Sequence, residues 1–229
     1  MPEQIGICLS SGCLDKYIID NTVVAVSWGN TLNCLAGQIQ PLKAKDIKVV
    51  QLNGGVAKSA SSTGASQIVD ALTMAGHGIG YMFPVPAIVD SKHTSEILQE
   101  ETQVKNVLRL AKEAEVSIFS IGALSKDSIL YEVEYLKDED FQALEKNKAV
   151  GDIASRYFDI NGNIALKELD DRVVGFGLEE LREKEWTIAI AVGVNKVDAI
   201  IGALRAGFMN VLYTDEKTAR EILNRNLLG

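Results

Sequence analysis

Residues 25–38 read AVSWGNTLNCLAGQ. An apolar run stops abruptly at Gly29-Asn30-Thr31, and residues that suit a helix follow at once. A buried strand that gives way to a helix across a glycine and two small polar residues is the opening unit of an α/β fold. The helix that begins there presents backbone N–H groups with no partner inside the helix. A phosphate would gain those amides, the Thr31 hydroxyl and the favourable end of the helix dipole. Capping of the helix by Asn30 or Thr31 is the competing use of the same residues.

The alternation continues along the chain. Strands are expected at Thr22–Trp28, Ile47–Leu52, Gly80–Phe83, Val116–Ile121, Thr187–Val192 and Asn210–Tyr213. Each is a short, nearly continuous apolar run, the pattern of parallel strands covered on both faces. Helices are expected near Ile5–Ile18, Thr31–Gln38, Ser61–Ala75, Glu96–Ala114, Val197–Ala206 and Lys217–Leu227. In the longest, Ile97, Val104, Val107, Leu108 and Ala111 recur at helical spacing and predict one face packed on a sheet. The expected fold is α/β, a Rossmann-like, doubly wound, mostly parallel sheet with helices on both faces. Ligands of such folds gather beyond the carboxyl ends of the strands. Residues 122–186 break the rhythm and read as a small inserted subdomain, with Asn161-Gly162 as a hairpin turn.

Two further strand ends carry polar or glycine-rich turns. After Val49–Leu52 comes Asn53-Gly54-Gly55, where paired glycines either admit a ligand to the backbone or simply make a turn. Neither turn fits GxGxxG or GxxxxGK[ST], which argues against a dinucleotide or a nucleoside triphosphate. Lys196 stands just beyond the fifth expected strand, after Gly193 and Asn195, at the start of a helix. A lysine there opposes the helix dipole unless an anion compensates it, although a solvated surface lysine fits the same position. Asp152 follows Gly151 and suits hydrogen bonds from sugar hydroxyls, or else a structural pair with Arg156 four residues on. Tyr81, Phe83, Pro84 and Pro86 read as rigid apolar walls.

Composition removes other classes. The chain has 229 residues, 47% of them hydrophobic, enough for one compact unit, and a formal charge of −8 without a Lys/Arg cluster. That balance disfavours a polyanion partner. Cys8, Cys13 and Cys34 are odd in number and lack CxxC spacing, so free thiols of a reducing, cytoplasmic protein are expected rather than a disulfide framework or zinc site. No signal-peptide pattern and no apolar stretch of roughly 18 residues argues for a membrane. His77 and His93 lack the company of a nucleophile or metal motif; no metal and no cofactor is expected.

Taken together, VVAVSWGNTL, VVQLNGG, PVPAIVDS, AVGDIASRYFDINGN and AVGVNKVDAIIGALRAGFMNVLYTDEKTAREIL make the chain resemble the effector-binding domain of the SorC/DeoR family of bacterial transcription regulators. The resemblance runs from about Ile5 to Leu227, and its most specific part is the closing block. It implies a fold similar to sugar-phosphate isomerases and glucosamine-phosphate deaminases, a phosphorylated sugar bound without covalent chemistry, and a homo-oligomer, dimer or tetramer. It assigns ligand contacts to Gly29, Asn30 and Thr31, to Asn53, Gly54 and Gly55, to Asp152 for the sugar and to Lys196 for the phosphate. Asn53 stands where some other members show a basic residue. Family regulators reach DNA through an N-terminal helix-turn-helix, for which this chain leaves no room before Thr22. On this reading residues 1–229 form a sugar-phosphate sensor and not an enzyme, the alternative being an isomerase or deaminase of the related fold.

Overall fold

The protein is described here by a computed structural model of residues 12–56 and 65–226. Cys8, the first part of the helix expected over Ile5–Ile18, the start of that over Ser61–Ala75, and Leu227 lie outside the described residues. Along the chain come β1 (Val23–Val26), α1 (Asn30–Ala36), β2 (Lys48–Gln51), α2 (Ala65–Ala75), β3 (Ile79–Tyr81), α3 (Lys92–Glu100), α4 (Thr102–Glu113) and β4 (Val116–Ser120). Then follow β5 (Gly122–Ala123), α5 (Ile129–Glu132), α6 (Asp138–Lys146), β6 (Ala149–Ile153), β7 (Arg156–Asp159), α7 (Lys167–Asp170), β8 (Trp186–Ile190), α8 (Val197–Arg205), β9 (Val211–Tyr213) and α9 (Glu216–Asn226).

The strands expected from the apolar runs form one sheet of six, in the order β3-β2-β1-β4-β8-β9, every pair parallel. Alternate residues of β1 enter opposite cores. Val23 and Ala25 pack with Val104, Val107 and Ala111 of α4 and with Ile200 of α8, whereas Val24 and Val26 pack with Leu32 and Leu35 of α1 and with Ile68 and Leu72 of α2. Helices thus cover both faces, which is why the strands read as unbroken apolar runs.

Local readings fared unevenly. The long helix divides at Glu101, whose backbone is extended, and Ile97 is 52% exposed rather than packed on the sheet. Glu100 and Glu101 oppose the dipole at the end of one helix but suit the start of the next, so a break there relieves them. The described part of the first expected helix is a single turn, Leu14–Lys16.

Between β4 and β8 the chain builds a second sheet, β5-β6-β7, antiparallel. Its tight hairpin turn is Ala154-Ser155, with both residues at positive φ (51° and 71°). At Asn161-Gly162 the chain does reverse, Gly162 N–H donating to the Asp159 carbonyl at 2.9 Å, and an isolated bridge pairs Phe158 with Ile164. Only Gly162 of that pair has positive φ, so the two-residue turn expected there is found seven residues earlier in the form Ala-Ser. Arg156 does not pair with Asp152. It is 9% exposed and binds Asp170 at 2.6 Å, with further bonds to the carbonyls of Phe176 and Gly175 at 2.7 and 3.1 Å, pinning residues 170–176 to the small sheet.

The ends of β1 and β2 are tied by Trp28, whose indole N–H donates to the Gly54 carbonyl at 2.7 Å. Gly54 donates to the Val174 carbonyl, and a Cβ on it would lie 2.4 Å from the carbonyl oxygen of Pro86. At Gly55 a Cβ meets nothing within 4 Å. Gly54→Ala is therefore expected to cost about 1–3 kcal/mol by overpacking against rigid backbone, and Gly55→Ala less than about 1 kcal/mol either way. Chemical denaturation of both variants checks this; equal effects would refute the close approach at Gly54.

Candidate functional site

A cavity of about 280 Å³ opens beyond the carboxyl ends of the sheet. Trp28 to Thr31 border it after β1, Asn53 after β2, Ser120 to Ala123 after β4, and Asn195 and Lys196 after β8. The order β3-β2-β1-β4 reverses direction between β1 and β4, so the cavity sits at the switch point of the doubly wound sheet. Asp152, Ala154 and Ser155 of the β6–β7 hairpin and residues 125–130 close it from the side.

Of the eight positions singled out in the sequence, Gly29, Asn30, Thr31, Asn53, Asp152 and Lys196 line this one cavity. Gly54 and Gly55 do not. They turn behind the wall, donating to the carbonyls of Val174 and Val85, and of the two only Gly54 is closely packed.

Gly29 is the N-cap of α1 at φ 141°, a conformation that favours glycine, and no side chain caps the helix. The first intrahelical bond runs from Asn33 N–H to the Gly29 carbonyl at 2.9 Å. Asn30 and Thr31 lie inside the helix, so the capping use of their side chains is not the one adopted, and the uncapped first turn borders the cavity.

Lys196 ends a short turn that begins at Gly193, φ 120°. Gly193 N–H donates to the Thr218 hydroxyl at 3.0 Å, which itself donates to the Asp215 carboxylate at 2.7 Å. The Lys196 ammonium makes no hydrogen bond or ion pair with a described residue, while its backbone N–H donates to the Gly193 carbonyl at 3.0 Å. Burial pulls its pKa below the usual lysine value, while Asp152 pulls the other way.

Asp152 sits partly buried with Oδ2 accepting the Ser155 N–H at 3.1 Å. Burial raises its pKa to about 6, against the opposing pull of that hydrogen bond and of Lys196. A Cβ on Gly122 would lie 2.1 Å from Asp152 Oδ1, so the bare backbone of Gly122 is what makes room for the carboxylate. Asn53 donates from Nδ2 to the Ser155 hydroxyl at 3.1 Å and is 1% exposed; its Oδ1 has no partner among the described residues.

A family model described as "Putative sugar-binding domain" matches residues 1–224. The chain belongs to this sugar-binding domain family. It is 34% identical over 211 residues to a deoxyribonucleoside regulator of Bacillus subtilis, a match that covers 92% of this chain and 67% of the relative. Across the curated relatives compared, the chain spans about two thirds of their length or somewhat less, down to 61%. A DeoR family transcriptional regulator from Listeria monocytogenes superposes with TM-score 0.87 at 25% identity, over 96% of this chain and 87% of that one. The full-length sorbitol operon regulator SorC of Klebsiella pneumoniae shares the fold, with TM-score 0.88 at 20% identity, over 97% of this chain and 71% of that one. These relatives are transcriptional regulators and not enzymes, which sets the isomerase or deaminase alternative aside. Among the described residues no helix is long and apolar enough to cross a membrane.

In this sugar-binding domain the sequence reading missed Ser120, Ser125, Asp127, Ser128 and Ser155, all on the cavity wall. Three serines and an aspartate in SIGALSKDS were a visible polar signal. Their place beside Gly29 depends on β4 pairing with β1, which no local pattern reveals.

Asp152→Asn tests the cost of the buried carboxylate. Because the folded state holds the proton more tightly than the unfolded chain, stability falls as pH rises from about 4 to about 6 and stays lowered above that. The asparagine variant is expected to be the more stable protein at pH 7.5, by no more than about 3 kcal/mol, with the advantage gone by about pH 4. Thermal unfolding across that range checks it, and an advantage independent of pH would remove the ionisation as its cause.

Proposed function

We propose that this domain binds a phosphorylated sugar non-covalently and passes the binding event, through its oligomeric state, to an attached DNA-binding segment of a cytoplasmic transcription regulator. The observation that carries the reading is the meeting of an uncapped helix start, Gly29 to Thr31, and the uncommitted Lys196 ammonium in one cleft at the switch point of the sheet. A phosphate satisfies both groups. Asp152, Asn53 and the serines supply acceptors and hydroxyls for a sugar, and a relative named for deoxyribonucleosides supports a ligand with a sugar moiety.

Dimers or tetramers are proposed on the same footing. The edge strand β3 leaves Ile79 61% exposed, with Met82 41% exposed just beyond it, a surface suited to self-association. Coupling to DNA requires the sugar phosphate to bind two oligomeric or conformational states with different affinity, typically by about 1–3 kcal/mol.

Lys196→Ala is the test. A thermal-shift panel of ribose 5-phosphate, fructose 6-phosphate and glucose 6-phosphate finds a binder, and calorimetry then compares it with its unphosphorylated sugar. The variant should lose roughly ten- to hundredfold in affinity for the phosphorylated sugar and little for the free one. Equal losses on both, or none, would mean that Lys196 is a solvated lysine and that the phosphate site is misplaced.

A further inference from the structure

The charges on the cavity wall are unequal, and this deepens the sugar-phosphate reading on which it rests. Among the described lining residues there is one cation, Lys196, against two carboxylates, Asp127 and Asp152. The Asp127 side chain makes no hydrogen bond or ion pair with a described residue; its neighbour Lys126 is drawn instead to Asp138 at 3.3 Å. Asp127 is exposed at the mouth, free to act on whatever enters.

The neutral part of the wall carries the hydroxyls of Ser120, Ser125, Ser128 and Ser155, which donate to and accept from sugar hydroxyls. The space, about 280 Å³, is at the small end for ligand sites and suits one sugar ring.

We propose that the cavity selects a monosaccharide carrying a single phosphate, held at Lys196, and that the carboxylates of Asp127 and Asp152 reject a second phosphate elsewhere on the sugar. The selectivity thus lies in a repulsive element as much as in the contacts to the accepted ligand.

The test uses matched pairs on the whole chain: fructose 6-phosphate against fructose 1,6-bisphosphate, glucose 6-phosphate against glucose 1,6-bisphosphate, and ribose 5-phosphate against ribose 1,5-bisphosphate, titrated calorimetrically. In every pair that binds, the monophosphate should be favoured by roughly tenfold or more. Asp127→Asn, an exposed and unpaired position that folding does not need, should shrink that preference by roughly threefold or more, and high salt should shrink it as well. A bisphosphate bound as tightly as its monophosphate, or a preference untouched by Asp127→Asn, overturns this inference and leaves the sugar-phosphate reading standing. If none of the six compounds binds, the sugar-phosphate reading itself falls, and this inference with it.

Discussion

The cavity exists because the chain leaves β1 and β4 toward opposite faces of the sheet. From β1 it enters α1, whose Leu32 and Leu35 pack into the core on one side. From β4 it continues through Ile121 into the small antiparallel sheet, whose Ile153 and Phe158 belong to the core on the other side. Two adjacent parallel strands with diverging exits leave a crevice between them, and the uncapped first turn of α1 borders it. The other features of the site depend on that divergence.

Distant segments hold the crevice in shape. Trp28 bonds the Gly54 carbonyl and so ties β1 to the turn after β2, and the Gln51 side chain ties β2 to the Phe83 amide after β3. On the far side, Thr218 and Asp215 hold Gly193, and with it the turn that presents Lys196. The closing block that carries the most specific resemblance to the family thereby acquires a physical task. Its lysine and its TDEKTA segment are two ends of one hydrogen-bonded support.

The site opposes stability in several places. Ala154 and Ser155 adopt positive φ in a turn where glycine or asparagine would be at ease, Asp152 keeps a carboxylate where burial disfavours its charge, and Asn53 holds an acceptor with no donor among the described residues. Strain and unmet polarity of this kind persist where the surrounding structure enforces them, and they gather at binding sites. Here the enforcement comes from a six-stranded sheet packed on both faces and from Arg156, which anchors the hairpin to residues 170–176.

The six strands of the main sheet, the helices flanking them and the polar stops after β1, β2 and β8 were legible in the sequence. A parallel strand buried on both faces writes itself as a continuous apolar run, and a glycine followed by small polar residues marks the exit to a helix. The tertiary structure alone decided which of those stops border one cavity. Asn53 does and Gly54 does not, because the approach of Pro86 turns the glycine into packing. It alone decided that Arg156 serves Asp170 rather than Asp152, that Ala154-Ser155 makes the tight hairpin, and that Asp127 reaches the mouth of the cleft. Strand order and hydrogen bonds between residues far apart in the chain leave no periodicity in the sequence, since each is set by where two segments meet once both have folded.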